Sequence, residues 1–189
     1  MEKDIHHSPG DEQEILKQAI KDRAAFRPIY EKYFKDIFLF VHRRVGDKQT
    51  SADITQQVFL KALTQLDKFQ FRGVPFSAWL YRISLNECHD YFRKTKKLRY
   101  VVVEDFQVDD LLEEMKSEEK SPDLLDRLQE ILQKLSPPEL ELVELRYFET
   151  LPFRDIAEIY GITENHAKVR LYRVLAKLKK IYLTYEPQD

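Results

Sequence analysis

Two stretches of this 189-residue chain combine residue types suited to holding nucleic acid. Residues 165–183 carry six Lys or Arg and no Asp or Glu. Asn165, His166, Lys168, Arg170, Arg173 and Lys177 recur there at helical spacings. Cations neutralise phosphates, while Asn, His and Arg present donors and acceptors to base edges. The second stretch runs from Phe69 to Lys97. It sets Phe69, Phe71, Phe76, Trp79 and Tyr81 among Arg72, Ser77, Arg82, Asn86, Asp90, Arg93, Lys94, Lys96 and Lys97. Aromatic faces interleaved with cations suit unstacked bases, each stacked base contributing roughly 1–3 kcal/mol. Trp79, early in an amphipathic helix, is expected in the core, and at least one of Phe69 and Phe71 is expected to pack. No P-loop, zinc-ligand spacing or nucleophile–His–acid arrangement is present. No catalytic residue, metal site or cofactor is therefore expected.

The elements that position these residues read as helices throughout. Glycine is scarce at four residues, and 34% of the chain is charged, which points to amphipathic helices and an all-α fold. The periodicity predicts helices over 12–24, 26–45 and 51–66, with Gly46 and Asp47 ending the second. The stretch 67–75 (DKFQFRGVP) breaks the period and predicts a loop, after which Ser77 is a candidate cap for a fourth helix with Leu80, Ile83 and Cys88 inward. Ser121-Pro122-Asp123 and Ser136-Pro137-Pro138-Glu139 read as helix starts, the second as a capping box. Four helices follow, at 122–134, 137–149, 153–160 and 164–183.

The last two have the form of a helix-turn-helix. Ile156, Ala157 and Ile159 supply an inner face, Gly161 fits a left-handed terminating residue, and Thr163 is a natural N-cap. Val169, Leu171, Val174, Leu175 and Leu178 are expected on the apolar side of the second helix. In this motif the first helix crosses the DNA backbone and the start of the second reaches base edges.

The net charge of −2 conceals a layout. Residues 26–97 hold 14 Lys/Arg against 7 Asp/Glu, whereas residues 104–126 hold 10 acids against 2 lysines. Residues 98–120 show no helical period and predict a flexible acidic linker between two helical domains, 12–97 and 121–183. The single Cys88 excludes an internal disulfide and suits a reducing cytoplasm. No apolar run reaches membrane-spanning length, and the polar start of the chain is not a signal peptide.

Taken in order, SADITQQVFLKAL (51–63), FRGVPFSAWLYRISLNECHDYFRKTKK (71–97) and LSPPELELVELRYFETLPFRDIAEIYGITENHAKVRLYRVLAKLKK (135–180) resemble an extracytoplasmic-function sigma factor of the sigma-70 family. The resemblance implies two helical domains, regions 2 and 4, on a flexible linker. It implies that Asp53, Gln56, Gln57 and Phe59 dock on the clamp helices of the largest subunit of core RNA polymerase. It implies that the loop 69–77, with Asn86, Asp90, Arg93 and the lysines after it, holds the melted non-template strand of the −10 element. Residues 164–183 would read the −35 element as duplex. An anti-sigma factor is the further partner that it implies. Gln57 stands where the family usually carries an acid. His166, Ala167 and Val169 stand where it often has Thr, Val and a small polar residue, which implies an altered promoter preference.

Two other functions fit parts of the pattern. A helix-turn-helix regulator with an N-terminal signal-receiving domain would bind duplex operators unaided, but has no use for DKFQFRG and its basic helix. A helical scaffold without nucleic acid leaves the acid-free stretch 165–183 without a role.

Overall fold

The computed structural model describes residues 9–69, 74–96, 109–114 and 124–184, and every regular element among them is a helix or helical turn. The chain divides into two compact units, residues 1–98 and 99–189.

In the first unit α1 (Pro9–Lys21) is followed by a 3-10 turn at Arg23–Phe26, α2 (Arg27–Val45), α3 (Lys48–Thr64), a second 3-10 turn at Leu66–Lys68 and α4 (Phe76–Thr95). Short polar side chains set these boundaries. The Asp22 carboxylate accepts the Ala24 N–H at 3.0 Å, so the helix expected at 12–24 instead ends at Lys21 and a tighter turn follows. Gly46, at φ 75°, ends α2 in the left-handed conformation that costs glycine least. Asp47 then accepts the Thr50 N–H at 2.7 Å. It caps α3, which therefore begins three residues before the expected Ser51. Ser77 is not the cap of α4: Pro75 holds that position, and Ser77 lies half-buried inside the first turn.

Helices α2, α3 and α4 pack on one another around Phe40, Val41, Val58, Ala62 and Leu80, all fully buried. Ile83 is only half-buried; Leu80, Ser84, Leu85 and Cys88 form the inward stripe of α4. Helix α1 lies on α2, where the Glu12 carboxylate accepts from the Tyr33 hydroxyl at 2.7 Å and from Lys32. Burial first, and the bond to Glu12 second, push the Tyr33 hydroxyl well above its ordinary value.

The second unit comprises α5 (Asp109–Glu114), α6 (Leu124–Gln133), α7 (Pro137–Val143), a π turn at Glu144–Phe148, α8 (Phe153–Tyr160) and α9 (Glu164–Leu183). Helix α5 corrects the expectation of no helix across 98–120. Its Leu111 and Leu112 are buried, and six residues are too few for a 3.6-residue period to show in sequence. The start expected at Ser121-Pro122-Asp123 lies outside the described residues. At the next start the Ser136 N–H and hydroxyl both donate to the Glu139 carboxylate, at 2.8 and 2.7 Å. The helix expected over 137–149 is α7 followed by the π turn, which the Glu149 N–H closes on the Glu144 carbonyl at 2.9 Å.

Candidate nucleic-acid interface

Helices α8 and α9 meet as local chemistry dictates. Gly161 takes φ 65°, and the Ile162 N–H turns back to the Ala157 carbonyl at 2.9 Å. With the Gly161 N–H on the Glu158 carbonyl at 3.2 Å, this satisfies two of the carbonyls that the end of α8 leaves open. Thr163 accepts the His166 N–H at 3.2 Å and starts α9. Ile156, Ala157 and Ile159 face inward from α8, and Ala167, Leu171, Val174, Leu175 and Leu178 from α9; all are buried. Val169 departs from expectation. It is 39% exposed, and Ala167 holds the buried place instead. At 100° per residue Val169 lies nearly opposite the buried set.

The same rotation sorts the expected DNA contacts. Asn165, His166 and Arg173 are exposed around Val169. Lys168 and Arg170 are half-buried flanking residues held near aromatic rings. The Lys168 ammonium lies 2.8 Å from Glu164 and 5.6 Å from the Phe153 ring centre. The Arg170 guanidinium lies 5.2 Å from the Tyr160 ring centre. The ring contacts orient both cations toward phosphates at the groove edge, and Lys168 must exchange its bond to Glu164 to reach one. Lys177 is exposed but bound to Glu139 at 2.7 Å, so it ties α9 to α7. That bond, with those from Ser136, holds the Glu139 carboxyl down at about 2, against the opposing effect of burial. Tyr172, 54% exposed, joins the outward face and is missing from the expected contacts. Its period from Asn165 and Val169 could have revealed it.

On α4, Arg82, Asn86, His89 and Arg93 are all exposed, and spacings of four, three and four place them on one face. His89 extends the expected set of Arg82, Asn86, Asp90, Arg93, Lys94 and Lys96. Asp90 accepts from Arg93 at 2.7 Å, so a partner that uses either group must exchange this bond. Lys94 and Lys96 are exposed at the helix end, where Lys96 turns left-handed at φ 53°. Phe69 is packed rather than presented. It is 9% exposed, with ring centres 5.2 Å from Phe76 and 5.3 Å from Trp79. Phe71, Arg72 and Lys97 lie outside the described residues.

On α3, Asp53, Gln56 and Gln57 are exposed on one face, with Leu60 at 53%. Phe59 is 4% exposed, its ring centre 4.8 Å from that of Tyr30, so it does not project toward a partner. It lines a groove of ≈ 510 Å³ with Phe26, Tyr30, Gln56, Leu60 and Leu63 among others. Among the described residues no cluster of His, Cys, Asp and Glu is placed to hold a metal, and no helix is long and apolar enough to cross a membrane.

Comparison with known proteins joins the two units. Residues 29–98 match the family described as Sigma-70 region 2, and residues 125–178 that described as Sigma-70, region 4. The chain is 32% identical over 152 residues to the RNA polymerase sigma factor SigV of Bacillus subtilis, covering 80% of this chain and 87% of that protein. It is 29% identical over 177 residues to the ECF RNA polymerase sigma factor SigW of the same organism, covering 87% and 93%. Against the ECF RNA polymerase sigma factor BldN of Streptomyces coelicolor the identity is 29% over 171 residues, and the chain spans 64% of that protein's length. Among solved structures, CnrH in complex with the cytosolic domain of CnrY aligns with TM-score 0.63 at 21% identity, covering 91% of this chain and 97% of that one. RpoE in complex with the anti-sigma factor NepR from Bartonella quintana aligns with TM-score 0.59 at 20% identity, covering 85% and 98%. At these identities the structures show the shared fold.

Proposed function

Since the chain belongs to the extracytoplasmic-function group of the sigma-70 family of RNA polymerase sigma factors, we propose that it directs core polymerase to promoters by holding DNA with two separate helix faces. The outward face of α9, presented behind the Gly161 turn, reads the −35 element as duplex. This face carries the proposal: Asn165, His166, Tyr172 and Arg173 project from the second helix of a helix-turn-helix, and residues 165–183 hold six cations and no acid. The α4 face of Arg82, Asn86, His89, Asp90 and Arg93, with the basic residues after it, holds the −10 element. Extruding a base costs a few kcal/mol, so a face that captures the opened strand makes melting depend on sequence. The exposed side of α3 at Asp53, Gln56, Gln57 and Leu60 docks on the clamp helices of the largest polymerase subunit. In functional terms residues 12–97 form the docking and −10 domain, 98–120 the acidic connection, and 121–183 the −35 domain.

Sigma factors are non-catalytic, and in this proposal phosphoryl transfer belongs wholly to the core enzyme. The protein acts in the bacterial cytoplasm. An anti-sigma factor is its further partner, by analogy with the RpoE–NepR complex. The experiment adds the purified chain to sigma-free core polymerase on a promoter library. Initiation from a defined subset of promoters is expected. No initiation, together with tight operator binding by the chain alone, would favour a stand-alone helix-turn-helix regulator.

A further inference from the structure

We infer that Val169 selects a thymine in the upstream promoter element by packing against its C5-methyl group. This rests on the assignment of the outward face of α9 to duplex DNA and goes beyond it by naming one residue and one base.

Val169 stands outside the packed stripe of its unit and is 39% exposed. The buried stripe of α9 passes through Ala167, Leu171, Val174, Leu175 and Leu178, and Val169 stands almost diametrically across the helix from it. Around it are Asn165 and His166 one turn earlier and Tyr172 and Arg173 one turn later, all exposed. A β-branched residue at an exposed helical site also lowers helix propensity, because its χ1 is restricted against the preceding turn. Neither folding nor solubility accounts for an apolar branched side chain at the centre of a polar face.

The major groove offers one matching group. Guanine, adenine and cytosine present only donors and acceptors there, whereas thymine adds a methyl group. The two γ-methyls of valine are held stiffly and carry no donor or acceptor. They can bury against the thymine methyl, but they strip water from the exocyclic amine of cytosine or adenine without replacing its hydrogen bond. Val169 therefore favours thymine and disfavours the other bases at one position. The hydrogen-bonding groups of Asn165, His166 and Arg173 read bases on either side. A protein ligand for this surface is the weaker alternative, since residues 165–183 contain six cations and no acid.

The test uses holoenzyme reconstituted from core polymerase and the full chain, on duplex fragments that it selects from a library randomised across the upstream element. Each thymine is then replaced singly by deoxyuridine, which removes the C5-methyl and leaves every hydrogen-bonding group in place. At one thymine the wild-type holoenzyme should lose about fourfold in affinity, the loss expected for one unburied methyl. Holoenzyme carrying Val169→Ala should bind thymine and deoxyuridine equally at that position, while penalties at other positions persist. Alanine is the better helix former, so the fold is preserved; a thermal midpoint no lower than that of the wild type checks this. An unchanged deoxyuridine penalty in Val169→Ala, or no penalty at any thymine in wild type, would overturn the assignment. Selection of no upstream element would overturn the placement of α9 on duplex DNA as well, so the two failures are distinguishable.

Discussion

The faces on α4 and α9 both set polar residues at helical spacing, with Val169 among those on α9, yet they are built differently. On α9 the geometry is local. Gly161 and Thr163 fix where the helix starts, and the rings of Phe153 and Tyr160 hold the flanking cations. On α4 the start of the helix is fixed by distant packing, with Phe69, Phe76 and Trp79 wedged together and Phe26 against Phe76. Its acid and one of its cations, Asp90 and Arg93, are bonded to each other within the face, whereas the α9 pair of Glu164 and Lys168 lies off the outward face, at the start of the helix. A self-contained, pre-oriented face suits a rigid duplex. A face whose groups must exchange partners suits a strand that forms only when DNA opens.

The largest expected effect tests whether Phe69 supports α4 or contacts DNA. Phe69→Ala should destabilise the first unit by about 3–5 kcal/mol, as for a buried Phe, and lower its thermal midpoint. A stable variant defective only in melting would make Phe69 a base contact after all. Next, Arg170→Glu with Arg173→Glu should weaken −35 binding by roughly a hundredfold and leave core association intact; filter binding and core titration measure the two separately. Loss of core binding would show that the faces are not independent. Asn86→Ala with Asp90→Ala should reduce open-complex formation by roughly tenfold and closed-complex formation little, read by permanganate reactivity of unpaired thymines. Equal losses would remove the contrast with α9.

The contrast also marks what sequence carries. The bounds of α8 and α9 agree with those expected, because a glycine, a threonine and an apolar period specify them within a few residues. Asp47 is as visible, but it lies beside Gly46 and reads as the end of α2 rather than the cap of α3. Phe59 and Phe69 are aromatic in either role, and only their partners on other elements decide that they are buried. Val169 was expected inside because valine is apolar. Its angle around the helix, set by which residues α6, α7 and α8 cover, places it outside. The Lys177–Glu139 bond joins residues 38 apart in sequence, and no local pattern announces it.

That bond gives the smallest effect. The folded-state value of Glu139 is depressed, so its contribution is present above the ordinary value near 4.5 and is lost as pH falls toward about 2. Lys177 is 44% exposed, and water screening limits the contribution to about 1 kcal/mol or less. Glu139→Gln should remove that share of the acid-induced loss of stability in the second unit, measured by denaturant titration at several pH values. An unchanged pH profile would show that the bond contributes nothing in solution.

The central claim is that one chain holds two different promoter elements with α4 and α9. Site-specific photocrosslinking in the holoenzyme tests it most directly, with a crosslinking amino acid replacing Asn86 in one preparation and Tyr172 in another. The α9 position should label duplex DNA near −35, and the α4 position the non-template strand near −10, the second only after opening. Both positions labelling the same element, or the α4 position labelling closed duplex equally well, would contradict the account.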